Sequence, residues 1–191
     1  MRVTHSLTNR VPLTVLALTV FSCAAAADPP VTTPAVQAAV WTPRQIAFQY
    51  TGFTTKYTCD GLRDKMRSVL TMLGAQQVQL TSFGCLDRST TATVSGVYIK
   101  MSVLQPAGAT AKAPAVPALW QPIDLLAKRN LVDAAADCEL INQIKLKVLP
   151  LFAARSVEYS ADCAAHQLLL GGTKLTAEVL MPEYAPSSAV R

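Results

Sequence analysis

Alternating and helical spacings of apolar residues follow one another in the first half of the chain. Ile46, Phe48 and Tyr50 alternate with Ala47 and Gln49, which predicts a half-buried strand. Further on, apolar residues recur at intervals of three and four, the spacing that builds one face of a helix. The residues of this face are Leu62, Met66, Val69, Leu70 and Leu73.

Signals for the ends of this helix and for two further strands complete the unit. Thr58 or Asp60 can cap the start of the helix, and Gly74 suits its end. A second strand is predicted from Val78 toward Cys85, and a third has apolar residues at alternate positions. Those positions are Val97, Ile99, Met101 and Val103. The predicted order is therefore β-α-β-β.

The second half of the chain repeats this order with weaker patterns. Its first strand, around Ile123 to Ala127, could equally form a helical turn. Pro150 falls in the last predicted helical turn and is expected to end or kink it. Val157 and Tyr159 predict the next strand. The helix face consists of Leu140, Ile141, Ile144, Val148 and Phe152, and the last strand contains Leu175, Ala177 and Val179.

An offset of 79 residues aligns the two halves, placing Trp41 on Trp120 and Cys59 on Cys138. We therefore predict an α+β protein formed by internal duplication, with two helices on a largely antiparallel sheet. Whether both copies share that sheet is left open by the sequence. The predicted segments are a disordered linker at 28–40, a first copy at 41–106, an Ala/Pro linker at 107–119, a second copy at 120–182 and a flexible tail at 183–191.

The first 27 residues have the order of a secretory signal peptide. They contain Arg2 and Arg10, no acidic residue, and an apolar run from Val11 to Phe21. This run is too short to span a bilayer as a helix and no longer one follows, so we expect no transmembrane helix. Cleavage after Ala27 predicts a periplasmic or secreted protein. The alternative is a lipoprotein anchored through Cys23, which lies in a loose lipobox.

Composition narrows the class of protein further. Hydrophobic residues make up 51% of the 191-residue chain and charged residues 15%. This composition is too apolar for a disordered chain. The formal charge is +5, but removal of the leader takes away two arginines and leaves +3. Aromatic residues are not interleaved with the basic ones, so we expect no nucleic-acid partner.

Four cysteines remain after removal of the leader, and an even number in an exported chain predicts disulfides. Cys59 and Cys138 open the two predicted helices, while Cys85 and Cys163 close the strands that follow. Because a helix runs antiparallel to the strand that follows it through a short turn, we predict the pairs Cys59–Cys85 and Cys138–Cys163. The competing interpretation is that Cys59 is an activated thiolate at a helix N-terminus.

Catalytic and cofactor-binding motifs do not occur in the sequence, so we expect neither a cofactor nor a metal. His166 could act as a general base, but no nucleophile is specified beside it, and a structural or surface role is the plainer interpretation.

Weak candidates for binding come from charge and aromatic residues. Arg63, Lys65 and Arg67 could face an anionic lipid or polysaccharide, although they also fit an ordinary solvated helix face. Trp41 and Trp120 stand at matching places, where packing is favoured over stacking on a ligand.

The segments 138–143 and 148–152, together with 57–62 and the closing 103–106, resemble a family of small exported Gram-negative bacterial proteins with no known activity. The resemblance covers most of the mature chain and implies export without any catalytic residue. We therefore expect a non-catalytic binding or interaction module whose partner is an envelope protein or an anionic envelope component. The alternative is an envelope hydrolase with an active site assembled from scattered residues around His166.

Overall fold

In the part of the chain that the structure describes, six strands and two helices form from the alternating and helical patterns of the sequence. The computed structural model describes residues 35–53, 55–84, 95–108, 113–126, 137–161, 163 and 173–183. The strands are β1 (Gln37–Tyr50), β2 (Gln76–Phe83), β3 (Ser95–Pro106), β4 (Val116–Asp124), β5 (Ala154–Ser160) and β6 (Lys174–Pro182). The helices are α1 (Cys59–Met72), between β1 and β2, and α2 (Cys138–Gln143), between β4 and β5.

All six strands belong to one antiparallel sheet with the order β2-β3-β1-β4-β6-β5. The predicted α+β class and antiparallel pairing are thus confirmed. Strand, helix, strand and strand follow one another twice along the chain, and the two sets of strands share the sheet.

The two halves of the sheet meet through a short contact between β1 and β4. Only 37–39 of β1 pair with 116–118 of β4, and these segments lie within the predicted linkers. Both strands begin earlier than the sequence indicated, and β4 does not start near Ile123. The reason is that Ala39 and Ala118 are fully buried at the contact, where small side chains let the strands pair.

Helix α1 buries the face that its spacing predicts. The Gly61 N–H donates to Thr58 Oγ1 at 3.0 Å, which caps the first turn. Gly74 has a φ of +83°, a conformation that glycine adopts without strain, and it ends the helix. All five residues of the predicted face are at most 1% exposed: Leu62, Met66, Val69, Leu70 and Leu73.

The second helix changes geometry while it keeps its buried face. After α2 the chain forms a π-helical turn, Ile144–Val148, and a 3₁₀ turn, Leu149–Leu151. Pro150 lies in the 3₁₀ turn, where its missing N–H ends the helical hydrogen bonding as predicted. The predicted face is nevertheless buried at Leu140, Ile141, Ile144, Val148 and Phe152.

Each outer strand contains a bulge at an equivalent position. Gln77 in β2 and Ser156 in β5 both have a φ of +52°, at shifts in the pairing with β3 and β6. They are 79 residues apart, the same spacing that separates Trp41 from Trp120. The bulge in β5 leaves Val157 43% exposed, although the sequence pattern groups it with Tyr159.

One predicted disulfide lies within the described residues. Cys138 at the start of α2 is bonded to Cys163, with Cα atoms 5.7 Å apart. Cys59 is also disulfide-bonded, which contradicts the interpretation of a reactive thiolate. Its predicted partner Cys85 lies outside the described residues, so that pairing stays a prediction, as does lipidation of Cys23. Neither helix in the described part of the chain is long and apolar enough to cross a membrane.

Candidate binding surface

Side chains of the sheet alternate between a face that packs on the helices and an opposite face, which we call the open face. Where the halves meet, a small apolar cluster lies on the open face. Trp41 pairs with Leu104 and Trp120 with Leu180, so the two tryptophans pack at matching places around this cluster, partly exposed. The buried members are Ala39, Leu104, Ala118 and Leu180. Both tryptophans therefore contribute packing, the interpretation that the sequence favours.

A groove of about 400 Å³, the first groove, opens on the open face across β1, β2 and β3. Ser102 Oγ donates to Gln77 Oε1 at 3.1 Å along its wall, next to the bulge in β2. Lys100 has no carboxylate partner among the described residues. The first groove therefore offers amide groups and one unneutralised cation. Its open-face lining consists of Pro43, Gln45, Gln77, Gln79, Lys100 and Ser102.

An aromatic pair lies beside the first groove. The rings of Phe83 and Tyr98 have centroids 4.4 Å apart, and Tyr98 is 53% exposed. Phe83 covers Gly96 on the neighbouring strand, where a Cβ atom would come within 2.2 Å of the ring. Glycine is thus required for the ring to lie flat at this point. A further cavity of about 330 Å³ between Tyr98 and Lys100 extends the groove toward the aromatic pair.

The second half carries a groove of about 300 Å³, the second groove, at the equivalent place. Its lining differs because acidic residues stand at the places of Gln45, Gln79 and Ser102. Thr176 stands at the place of Lys100, so the second groove has no lysine there. The open-face residues of the second groove are Pro122, Asp124, Ser156, Glu158, Thr176 and Glu178.

Basic residues of the same protein already bind two of the three carboxylates of the second groove. Arg155 Nε lies 2.7 Å from Glu178 Oε2, and the guanidinium stacks 4.4 Å above the ring of Trp120. Lys174 Nζ lies 2.6 Å from Glu158 Oε2, and this hydrogen bond and charge lower the pKa of Glu158. The first groove, whose lysine has no such partner, is therefore the better candidate for binding.

The predicted basic residues of α1 do not form one cationic surface. Arg63 lies 2.8 Å from Asp60 and 3.2 Å from Asp64, so its charge is compensated on the helix itself. Lys65 points elsewhere and forms an ion pair with Asp137, whose side chain is 1% exposed. Arg67 alone is exposed without an ion pair among the described residues.

A polar cluster joins the two halves on the helix side. Asp137 accepts hydrogen bonds from Tyr57 Oη and from Lys65 Nζ. Tyr50 Oη donates to the carbonyl of Thr55 at 2.8 Å and contacts Glu139 at 3.3 Å. Since Tyr50, Tyr57 and Lys65 come from the first half and both carboxylates from the second, the cluster ties the halves together.

Alkaline pH is expected to destabilise the fold through this cluster. Burial, followed by the hydrogen bond and charge of Asp137, raises the pKa of Tyr57 well above its usual 10, and burial with Glu139 raises the pKa of Tyr50. Above about pH 10 the unfolded chain loses protons that the fold retains, so the free energy of unfolding falls by up to ~1.4 kcal/mol per pH unit for each tyrosine. Below about pH 10 the full stability remains.

The measurement is urea unfolding at about pH 9 and about pH 11, together with the absorbance of tyrosinate. Tyr57→Phe should reduce the fall between the two pH values, whereas Tyr98→Phe, at an exposed ring, should not. Ionisation of all five tyrosines near pH 10 in the native protein would contradict this expectation.

His166 lies outside the described residues, so the structure does not place it relative to any carboxylate. Among the described residues, no group of three His, Cys, Asp or Glu side chains is arranged to hold a metal ion. Sequence reasoning missed Tyr98 and Lys100. Both residues could have been identified from the sequence, because they occupy the outward positions of β3 and the inward positions of this strand were predicted correctly.

Comparison with known proteins finds no similarity that identifies the chain: no family model, no curated protein and no solved structure matches it. The predicted membership of a family of exported bacterial proteins therefore stays a prediction.

Proposed function

We propose that this chain is an exported, non-catalytic binding module of the bacterial envelope that takes an anionic partner on the open face of its first half. The observation that carries this proposal is the contrast between the two grooves. Lys100 and Tyr98 are accessible and Lys100 has no ion pair among the described residues, whereas the carboxylates Glu158 and Glu178 of the second groove bind Lys174 and Arg155.

Internal duplication is part of the proposal, since it explains why the grooves occupy matching places. Pro43 and Pro122, and likewise the bulge residues Gln77 and Ser156, contribute to the two grooves with the same spacing of 79 residues. After duplication, one groove kept a cation available and the other became internally paired. Such divergence favours a single binding surface for each chain.

Export supports the choice of partner. The predicted signal peptide at 1–27 and the Cys138–Cys163 disulfide both fit an oxidising compartment, in which a periplasmic or secreted protein meets anionic envelope components. Anchoring through Cys23 is the alternative mode of attachment. The hydrolase centred on His166 stays the alternative function, since His166 lies outside the described residues.

Site-specific photo-crosslinking in cells tests the proposal. A photoreactive phenylalanine analogue at Tyr98 should yield a reproducible crosslinked species, because this exposed ring adjoins the first groove. The same analogue at Arg67, an exposed position of α1 on the other side of the sheet, is the matched control and should yield none. Lys100→Glu should reduce the Tyr98 crosslink at least about fivefold by repelling an anionic partner.

Two results would overturn the proposal. One is equal crosslinking from both positions, and the other is a Tyr98 crosslink that Lys100→Glu leaves unchanged. Lys100 is exposed and makes no ion pair in the described part of the chain, so this variant should fold normally.

A further inference from the structure

Strand β1 has a neighbour on each side in the strand order, yet along most of one side no strand in the described part of the chain pairs with it. It pairs with β3 from Ala39 to Tyr50, but with β4 only at 37–39. Beyond Ala39, no strand among the described residues pairs with the side of β1 that faces away from β3. We call the stretch from Pro43 to Ala47 on this side the inner edge.

The direction of the backbone groups at the inner edge follows from the pairing. In an antiparallel strand each residue points its N–H and its C=O to the same side, and the side alternates. Ala38 accepts a hydrogen bond from the Ala107 N–H at 3.0 Å, which shows that even-numbered residues of β1 face β3. Pro43, Gln45 and Ala47 therefore point their backbone groups toward the inner edge.

These backbone groups are accessible. Pro43, Gln45 and Ala47 are all exposed, and no hydrogen bond reaches their inner-edge groups from the described residues. Gln49, next along the same side, differs because Lys147 Nζ donates to its carbonyl at 2.9 Å. Proline is tolerated at position 43 because its missing N–H would not have joined the pairing with β3.

Positive charge surrounds the inner edge. Arg44 and Lys100 are exposed and have no carboxylate partner among the described residues, and Lys147 binds at its far end. The inner edge also forms one wall of the first groove, which Pro43 and Gln45 both line. A bound strand would thus lie between unpaired backbone groups and basic side chains.

We propose that the inner edge binds an extended acidic peptide segment of another envelope protein, which adds to the sheet as a strand. This inference rests on the proposed function and specifies its partner. Backbone hydrogen bonds to Gln45 and Ala47 hold the segment. Carboxylates on one face of the segment pair with Lys100 on the open face, and carboxylates on its other face pair with Arg44, which lies on the helix side with Met101. The basic residues select an acidic sequence over a neutral or basic one.

Amide hydrogen exchange tests the state of the inner edge in the free protein. Gln45 and Ala47 N–H groups should exchange at least about tenfold faster than those of Ile46 and Phe48, which pair with β3 in the same strand. Equal protection of all four amides would show that the edge is already covered and would overturn the proposal.

Titration with a synthetic probe tests the partner. The probe is a blocked heptapeptide in which Glu-Glu pairs alternate with single Val residues, so that carboxylates project from both faces of the bound strand, and the control replaces each Glu by Lys. Added at millimolar concentration, the acidic peptide should slow exchange at Gln45 and Ala47 at least about tenfold, and the basic peptide should not. The double substitution Arg44→Glu and Lys100→Glu should reverse this preference.

Three other outcomes of these experiments also bear on the peptide proposal. No effect of the acidic peptide at Gln45 and Ala47 overturns the inference, as does protection that rises with protein concentration alongside a dimer in light scattering. The latter would assign the inner edge to a second copy of the chain. If the Tyr98 crosslink forms while the peptide has no effect, the binding module stands and only its peptide partner fails.

Discussion

Replacing Asp137 by alanine is expected to lower the free energy of unfolding by about 3 kcal/mol. The buried carboxylate accepts hydrogen bonds from the Lys65 ammonium and the Tyr57 hydroxyl, and the substitution leaves both groups without this partner. For a domain of this size the midpoint of thermal unfolding should fall by roughly 6–12 °C. Differential scanning calorimetry or urea unfolding of the mature protein measures the effect.

Two further variants make this expectation specific. Asp64→Ala removes an exposed carboxylate that also pairs with a basic residue of α1, and it should cost less than about 0.5 kcal/mol. Asp137→Asn keeps a hydrogen-bond acceptor for Tyr57 but loses the charge. Its loss of unfolding free energy should lie between the losses caused by Asp64→Ala and Asp137→Ala. If Asp137→Ala were as mild as Asp64→Ala, the polar cluster would not hold the halves together.

Loss of the Cys138–Cys163 disulfide is expected to lower the free energy of unfolding by about 3 kcal/mol. The bond closes a loop with a sequence separation of 25 residues, and the chain-entropy model gives this magnitude for loops of such length. Urea unfolding of Cys163→Ala measures the effect without disturbing the core, because Cys163 is exposed whereas Cys138 is buried.

The double substitution Cys138→Ala and Cys163→Ala separates crosslinking from packing. Its additional cost over Cys163→Ala reports the buried sulfur of Cys138 and should stay below about 1.5 kcal/mol. A loss of less than about 1 kcal/mol in Cys163→Ala would mean that the loop is restrained without the bond.

Periodic burial is the part of the fold that the sequence predicts well. The face of α1 and the inward residues of β3, such as Ile99 and Val103, recur at fixed intervals because one side of each element packs in the core. The cap at Thr58 and the end at Gly74 were also predictable, since both depend on local chemistry. Local signals therefore predict the elements.

Contacts between the halves were beyond the sequence pattern. Ala39 and Ala118 lie in Ala/Pro-rich stretches typical of linkers, yet they are fully buried where β1 meets β4. Small residues carry little periodic signal, so their burial depends on a partner strand that lies far away in the chain. The ion pair of Lys65 with Asp137 was missed for the same reason, as it joins residues 72 positions apart.

For the candidate binding surface, the sequence predicts which residues point outward but not which charges are paired. Outward positions of β3 can be read from its inward ones, which gives Tyr98 and Lys100. The fold brings carboxylates to Arg63 and Lys65 and neutralises their charges. It brings none to Lys100 among the described residues, and neither result can be predicted from the positions of the basic residues in the sequence. A charge pattern along a helix therefore does not show which of its basic residues form ion pairs.

The bulges at Gln77 and Ser156 lie in the two outermost strands of the sheet, whose free sides could pair with strands of other molecules. A sheet whose outermost strands ran straight would offer two regular rows of backbone groups, onto which further molecules could stack without limit. Each bulge interrupts such a row and twists the strand at that point. Each of the two outermost strands is therefore a less regular template for a further strand than a straight edge would be.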